Sequence, residues 1–118
     1  MNFNCHCGNI SITSEKEPET ITRCNCSICN RYGAMWSYFT PEKLTIDIGA
    51  LGSKSYSWGD KNINFIFCHS CGCITHYETT EKVTPKKIGV NTRMAPIEST
   101  RNIRIRDFDG ADSWEYID

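Results

Sequence analysis

Eight cysteines gather into three short groups, and their spacing constrains this chain more than any other feature. Cys5 and Cys7 form a C-x-C pair in "CHCG". Cys24, Cys26 and Cys29 crowd into "RCNCSICNRYG", and Cys68, Cys71 and Cys73 follow in "FCHSCGC". A C-x-C in extended chain puts both thiols on one side. A C-x2-C around a tight turn aims two thiols at one point. Zinc takes four ligands at the corners of a tetrahedron, with Zn–S near ~2.3 Å. One local pair is half a site, and two pairs distant in sequence close a loop that stabilises a small domain. The simplest partition is four and three. Cys5, Cys7, Cys68 and Cys71 make a closed four-thiolate site. Cys24, Cys26 and Cys29 hold a second zinc and leave one vertex free, the pattern of a catalytic metal. Cys73 leaves alternatives open. It can close the second site, turn with Cys71 toward the first, or pack as a small hydrophobe.

The rest of the sequence narrows the setting. A length of 118 residues is that of one domain, spanning 1–118. With 39% apolar residues the core is modest, and metal would help to hold it. No apolar run approaches the ~18 residues needed to span a bilayer. "MNFNCHCGN" lacks the basic and apolar regions of a secretory leader, so the expected location is cytoplasmic. In that reducing compartment the cysteines are read as ligands rather than disulfides. Lysines and arginines number 13 against 14 acidic residues, interspersed, for a net charge of -1. Seven metal-bound thiolates would make it more negative. Neither nucleic acid nor a membrane surface is an expected partner.

Short stretches rich in β-branched and aromatic residues recur between Gly, Asn, Asp, Pro and Ser: "NISITSE", "ETITRC", "AMWSYF", "KLTIDI", "KSYSW", "NINFIFC" and "CITHYET". "WGDKN" and "DFDGAD" read as turns. "TRNIRIRD" alternates Ile103 and Ile105 with Arg104 and Arg106, which predicts an edge strand with one apolar and one basic face. Two places look helical: Ser27 to Tyr32, and a single turn in "TPEKL" with Thr40 as cap and Pro41 at its first position. The predicted fold is mainly β, with small antiparallel sheets organised around two zinc sites.

The ordered set "CHCG", "CNCSICNRYGAMW", "FCHSCGC" and "GVNTR" resembles the glutathione-dependent formaldehyde-activating (GFA) family, which also includes centromere protein V. The likeness runs over roughly residues 3–95. It implies a structural zinc on Cys5, Cys7, Cys68 and Cys71 and a catalytic zinc on Cys24, Cys26 and Cys29, the partition already reached from spacing. It also implies a carbon–sulfur lyase that joins glutathione and formaldehyde into S-hydroxymethylglutathione.

A tripeptide with two carboxylates needs cationic or amide partners. Arg23 and Arg31 beside the zinc segment, and Asn91 and Arg93 in "GVNTR", are the candidates, with Trp36 as a pocket wall. His76 is a candidate base or substitute ligand. The expected partners are therefore a small thiol such as glutathione and a small aldehyde, with two zinc ions per chain. A non-catalytic zinc-stabilised interaction module and a thiol or metal sensor are the competing readings.

Overall fold

The computed structural model describes the whole chain, Met1 to Asp118. The first half holds β1 (Asn2–Asn4), β2 (Ile10–Ser14), β3 (Thr20–Cys24), α1 (Ser27–Tyr32), β4 (Trp36–Phe39), β5 (Leu44–Ile48) and β6 (Ser53–Tyr56). The second holds β7 (Ile63–Cys68), β8 (Ile74–Thr79), β9 (Ile88–Asn91), α2 (Ile97–Thr100) and β10 (Arg104–Phe108). Every stretch read as a strand contains one. The fold is mainly β, as expected, but the strands collect into two sheets of unequal size. One has three strands in the order β1-β2-β5; the other has seven, in the order β10-β3-β4-β9-β8-β7-β6. All pairings are antiparallel except β10 with β3.

The small sheet covers one face of the large one. Phe3, Ile10 and Ile12 from the small sheet meet Ile88 and Val90 of β9, forming the first core. The other face of the large sheet carries a second core, of Trp36, Phe65, Ile74 and Tyr77, closed by Cys29 and Ala34. Side chains alternate along a strand, so Ile74 and Tyr77, three apart, share a face only because the ladder slips between them. Ile66 pairs with His76 while Phe67 pairs with Ile74, which leaves Thr75 as the extra residue of a bulge. The bulge turns Ile74 toward the second core. It leaves His76 opposite Val90, on the first-core face.

The expected turns are in place: residues 58–62 join β6 to β7, and residues 109–113 follow β10. Pro41 opens a single 3-10 turn ending at Lys43, but the Thr40 hydroxyl bonds the Glu42 carboxylate at 2.6 Å instead of capping the backbone. A 3-10 turn over Thr92–Met94 and α2 were not foreseen; neither has an apolar period to betray it. β10 is an edge strand as predicted. Its basic side is neutralised within the chain, since Arg104 and Arg106 both reach the Asp118 carboxylate, at 3.1 and 3.0 Å. No helix is long and apolar enough to cross a membrane.

Candidate active site

All eight cysteines are free thiols, and seven of them fall into two groups. Cys5, Cys7, Cys68 and Cys71 bring their Sγ atoms within 4.8 Å of one another, and so do Cys24, Cys26 and Cys29. Both have the sulfur-only donor set that zinc takes. The surroundings suit thiolates as well. Backbone N–H groups of Ile10, Ser70 and Cys71 point at the Cys5 and Cys68 sulfurs from 3.2 to 3.5 Å, and the Asn9 amide donates to Cys68. Burial pushes the Cys5 thiol up to about 11, while N–H donors, led by that of Cys73, pull Cys71 down to about 5. This group ties the turn after β1 to the turn between β7 and β8, and with them the two sheets.

The three-thiol group is local. Cys24 ends β3, and Cys26 is the extended residue that opens α1. Cys29 is therefore the third residue of the helix, on the side that faces its N-cap. That is how a C-x2-C converges without a hairpin. Trp36 Nε1 donates to Cys29 Sγ at 3.2 Å, and the backbone of Cys26 approaches Cys24 Sγ at 3.5 Å. The Cys24 thiol is pulled down to about 6, chiefly by the neighbouring Cys29 thiol and then by the N–H groups of Cys26 and Gly110. Cys29 is driven up by the same contact and by burial.

Cys73 joins neither group. Its thiol sits beside Cys71, where the His6 N–H reaches it, and packs on the first core; burial raises it. The Cys24, Cys26, Cys29 trio thus has three sulfurs from this chain, and it opens on a cleft of about 880 Å³. Trp36, Phe65 and Tyr77 line the cleft, with Trp36 and Tyr77 packed edge to face at 4.9 Å between ring centres. Tyr38, Trp58, Phe108, Trp114 and Tyr116 line it further out.

The C-terminal turn forms part of this wall and lies on the cysteine loop. Asn25 donates to Asp109 and accepts from the Ala111 N–H, each at 3.0 Å, and its own N–H donates to the Phe108 carbonyl. A Cβ on Gly110 would stand 2.5 Å from Cys24 Sγ, so only glycine allows this approach.

Of the residues expected to hold substrate, Trp36 lines the cleft; Arg31, Asn91 and Arg93 do not. Asn91 is 2% exposed, donates to the Ile74 carbonyl and accepts from the N–H groups of Met35 and Arg93, which makes it a backbone clamp. Arg93 bonds the Gly33 carbonyl and Arg31 the Ser27 carbonyl, at the two ends of α1. Arg23 pairs with Asp107 at 2.7 Å. His76 is 1% exposed, on the face away from the cleft, with Nδ1 2.8 Å from the Thr75 hydroxyl. The outer aromatic wall went unread in the sequence. Its one signal was "DFDGADSWEY", three aromatics in a polar, turn-rich segment that offers them no core.

A model of the family described as "Glutathione-dependent formaldehyde-activating enzyme" matches residues 1–105. The chain belongs to this family. GFA membership accounts for both thiol groups and for the order of the segments that carry them. A solved Rhodobacter sphaeroides protein is similar to this GFA chain, with a TM-score of 0.70 and 26% identity over 89% of this chain and 99% of that one. No curated protein matches the chain significantly.

Proposed function

We propose that the protein is a zinc-dependent carbon–sulfur lyase that adds a thiol to a small aldehyde and, in reverse, releases the aldehyde from the adduct. The observation behind this reading is that the incomplete sulfur trio, and not the group of four, opens on the cleft. Glutathione and formaldehyde are the pair to which the family's description points. In the forward direction the thiol sulfur forms a bond to the carbonyl carbon, the C=O π pair moves onto oxygen, and the thiol's proton ends on that oxygen.

The chain offers little acid–base help. Burial keeps the Tyr77 phenol neutral, and His76 faces the other core. A zinc ion held by Cys24, Cys26 and Cys29 would supply the Lewis acidity that removes the proton from an incoming thiol at neutral pH. Trp36 steadies the Cys29 sulfur with its indole N–H, and Gly110 lets the C-terminal turn close over Cys24. The aromatic walls hold thiol and aldehyde together and limit water. Cys5, Cys7, Cys68 and Cys71 take the structural zinc.

The test is a zinc count followed by exchange spectroscopy. The purified chain should carry two zinc ions, and its melting temperature should rise with added thiol. It should also speed the exchange between 13C-formaldehyde and its S-hydroxymethyl adduct, read by NMR. A scaffold would hold two ions and ignore thiols. Exchange at the uncatalysed rate, or fewer than two ions, rules the lyase out.

A further inference from the structure

We infer that the thiol accepted here carries a flat, apolar body, aromatic in character, and at most one carboxylate. This rests on the thiol-docking reading above and adds the substrate class to it. The cleft is far larger than a sulfur and a one-carbon aldehyde require, at about 880 Å³. Beyond the second core its walls are Tyr38, Trp58, Phe108, Trp114 and Tyr116. Four of these stay open to solvent, Trp114 at 71%, Trp58 at 48%, Tyr38 at 40% and Tyr116 at 39%. A bulky apolar side chain left this exposed at the rim of an apolar cleft is placed for a ligand rather than for the core.

The backbone at Trp114 says the same. Its φ is +61°, a region that bulky residues rarely occupy. The position is fixed by its N–H donating to the Asp109 carbonyl at 2.8 Å and by the edge of Phe108, 5.2 Å between ring centres. The indole is thus held at the rim while most of its surface stays open to solvent.

Charge in the cleft disfavours a tripeptide with two carboxylates. Lys87 is the one cation lining it, with Nζ 4.4 Å above the Tyr38 ring and no acidic partner. Asp60 lines the same cleft and repels a second carboxylate. No arginine lines it; Arg23, Arg31, Arg93, Arg104 and Arg106 are all engaged elsewhere. Two of the hydroxyls lining the cleft are engaged too. Tyr116 bonds Thr22 at 2.9 Å, and Thr79 bonds both backbone groups of Lys87. Two carboxylates, an ammonium and two peptide groups, the polar load of glutathione, would be left largely unmatched. An arylalkyl thiol meets ring faces instead, with Lys87 free to take one anionic group.

The experiment is calorimetric titration of the zinc-loaded full chain with phenylmethanethiol, glutathione and 2-mercaptoethanol. Phenylmethanethiol is expected to bind at least about tenfold tighter than glutathione. Trp58→Ala and Trp114→Ala, both at exposed positions, should each narrow its advantage over 2-mercaptoethanol about fivefold. Glutathione binding as tightly or tighter overturns the substrate class and leaves the thiol-docking reading standing. An advantage unchanged in both variants overturns it as well. Failure of all three thiols to bind removes the docking reading itself, and this inference with it.

Discussion

Gly110 has no room for a side chain, because Cys24 Sγ occupies the space a Cβ would need. Gly110→Ala must push either the C-terminal turn or the cysteine loop aside. The expected result is a loss of about 1–3 kcal/mol of stability and a zinc content that falls from two toward one per chain, measured by elemental analysis. Retention of both ions at full stability would show that the turn is not fitted to the thiol. His76 makes a second prediction at this scale. Burial lowers it from 6.5 to about 4. The unfolded chain takes up a proton below 6.5, whereas the folded ring resists until about 4. Stability is therefore complete above about 6.5 and is lost as pH falls toward 4, by about 3 kcal/mol in all. Urea melts at pH 7 and pH 5 should show a smaller acid loss for His76→Gln than for the wild type. Equal losses would place the acid sensitivity elsewhere, the thiol groups being the next suspects.

At the scale of elements, β8 and β9 meet at a point with no slack. A Cβ on Gly89 would collide with the Tyr77 ring, which lies across it to reach the cleft. Gly89→Ala is expected to cost at least about 2 kcal/mol and to shift the near-ultraviolet circular dichroism of the aromatic cluster; a stable variant with an unchanged spectrum would count against this packing. The ion pairs of β10 are the contrasting case. Asp118 meets both Arg104 and Arg106 at the surface, so Asp118→Asn should change stability by less than about 1 kcal/mol, read from thermal melts. Strands β2 to β8 were legible because they are rich in β-branched and aromatic residues and are bounded by turn formers. β1 was not, being the three residues Asn2–Asn4, too short to show a period. The Cys24, Cys26, Cys29 trio was legible because it is contiguous. The cleft facing it was not: Tyr38, Trp58 and Trp114 lie far apart in sequence, and only the sheet order brings them together. Asn91 and Arg93 looked like substrate ligands because a tripeptide needs amide and cationic partners and "GVNTR" follows an apolar, strand-like stretch. Here the Asn91 amide instead replaces missing ladder hydrogen bonds, and Arg93 bonds the carbonyl that ends α1.

For the whole molecule, the two thiol groups do different mechanical work. The group of four joins segments more than sixty residues apart, whereas the trio closes only a short loop and the start of α1. Binding free energy at a long-range site is folding free energy. Graded chelation should therefore act in two stages. Release of the first ion should abolish any response to thiols yet keep the β signature in the far ultraviolet; release of the second should unfold the chain. Simultaneous loss of both signals would mean that the trio also holds the fold. The parallel seating of β10 against β3 has a consequence for biosynthesis. A ribosome that has released residue 71 has already freed every sulfur of both groups. Trp114 and Tyr116 leave the ribosome well after Cys71. A nascent chain can thus be loaded with metal before these two rings arrive, and the selectivity inferred for them would be added to a centre already assembled.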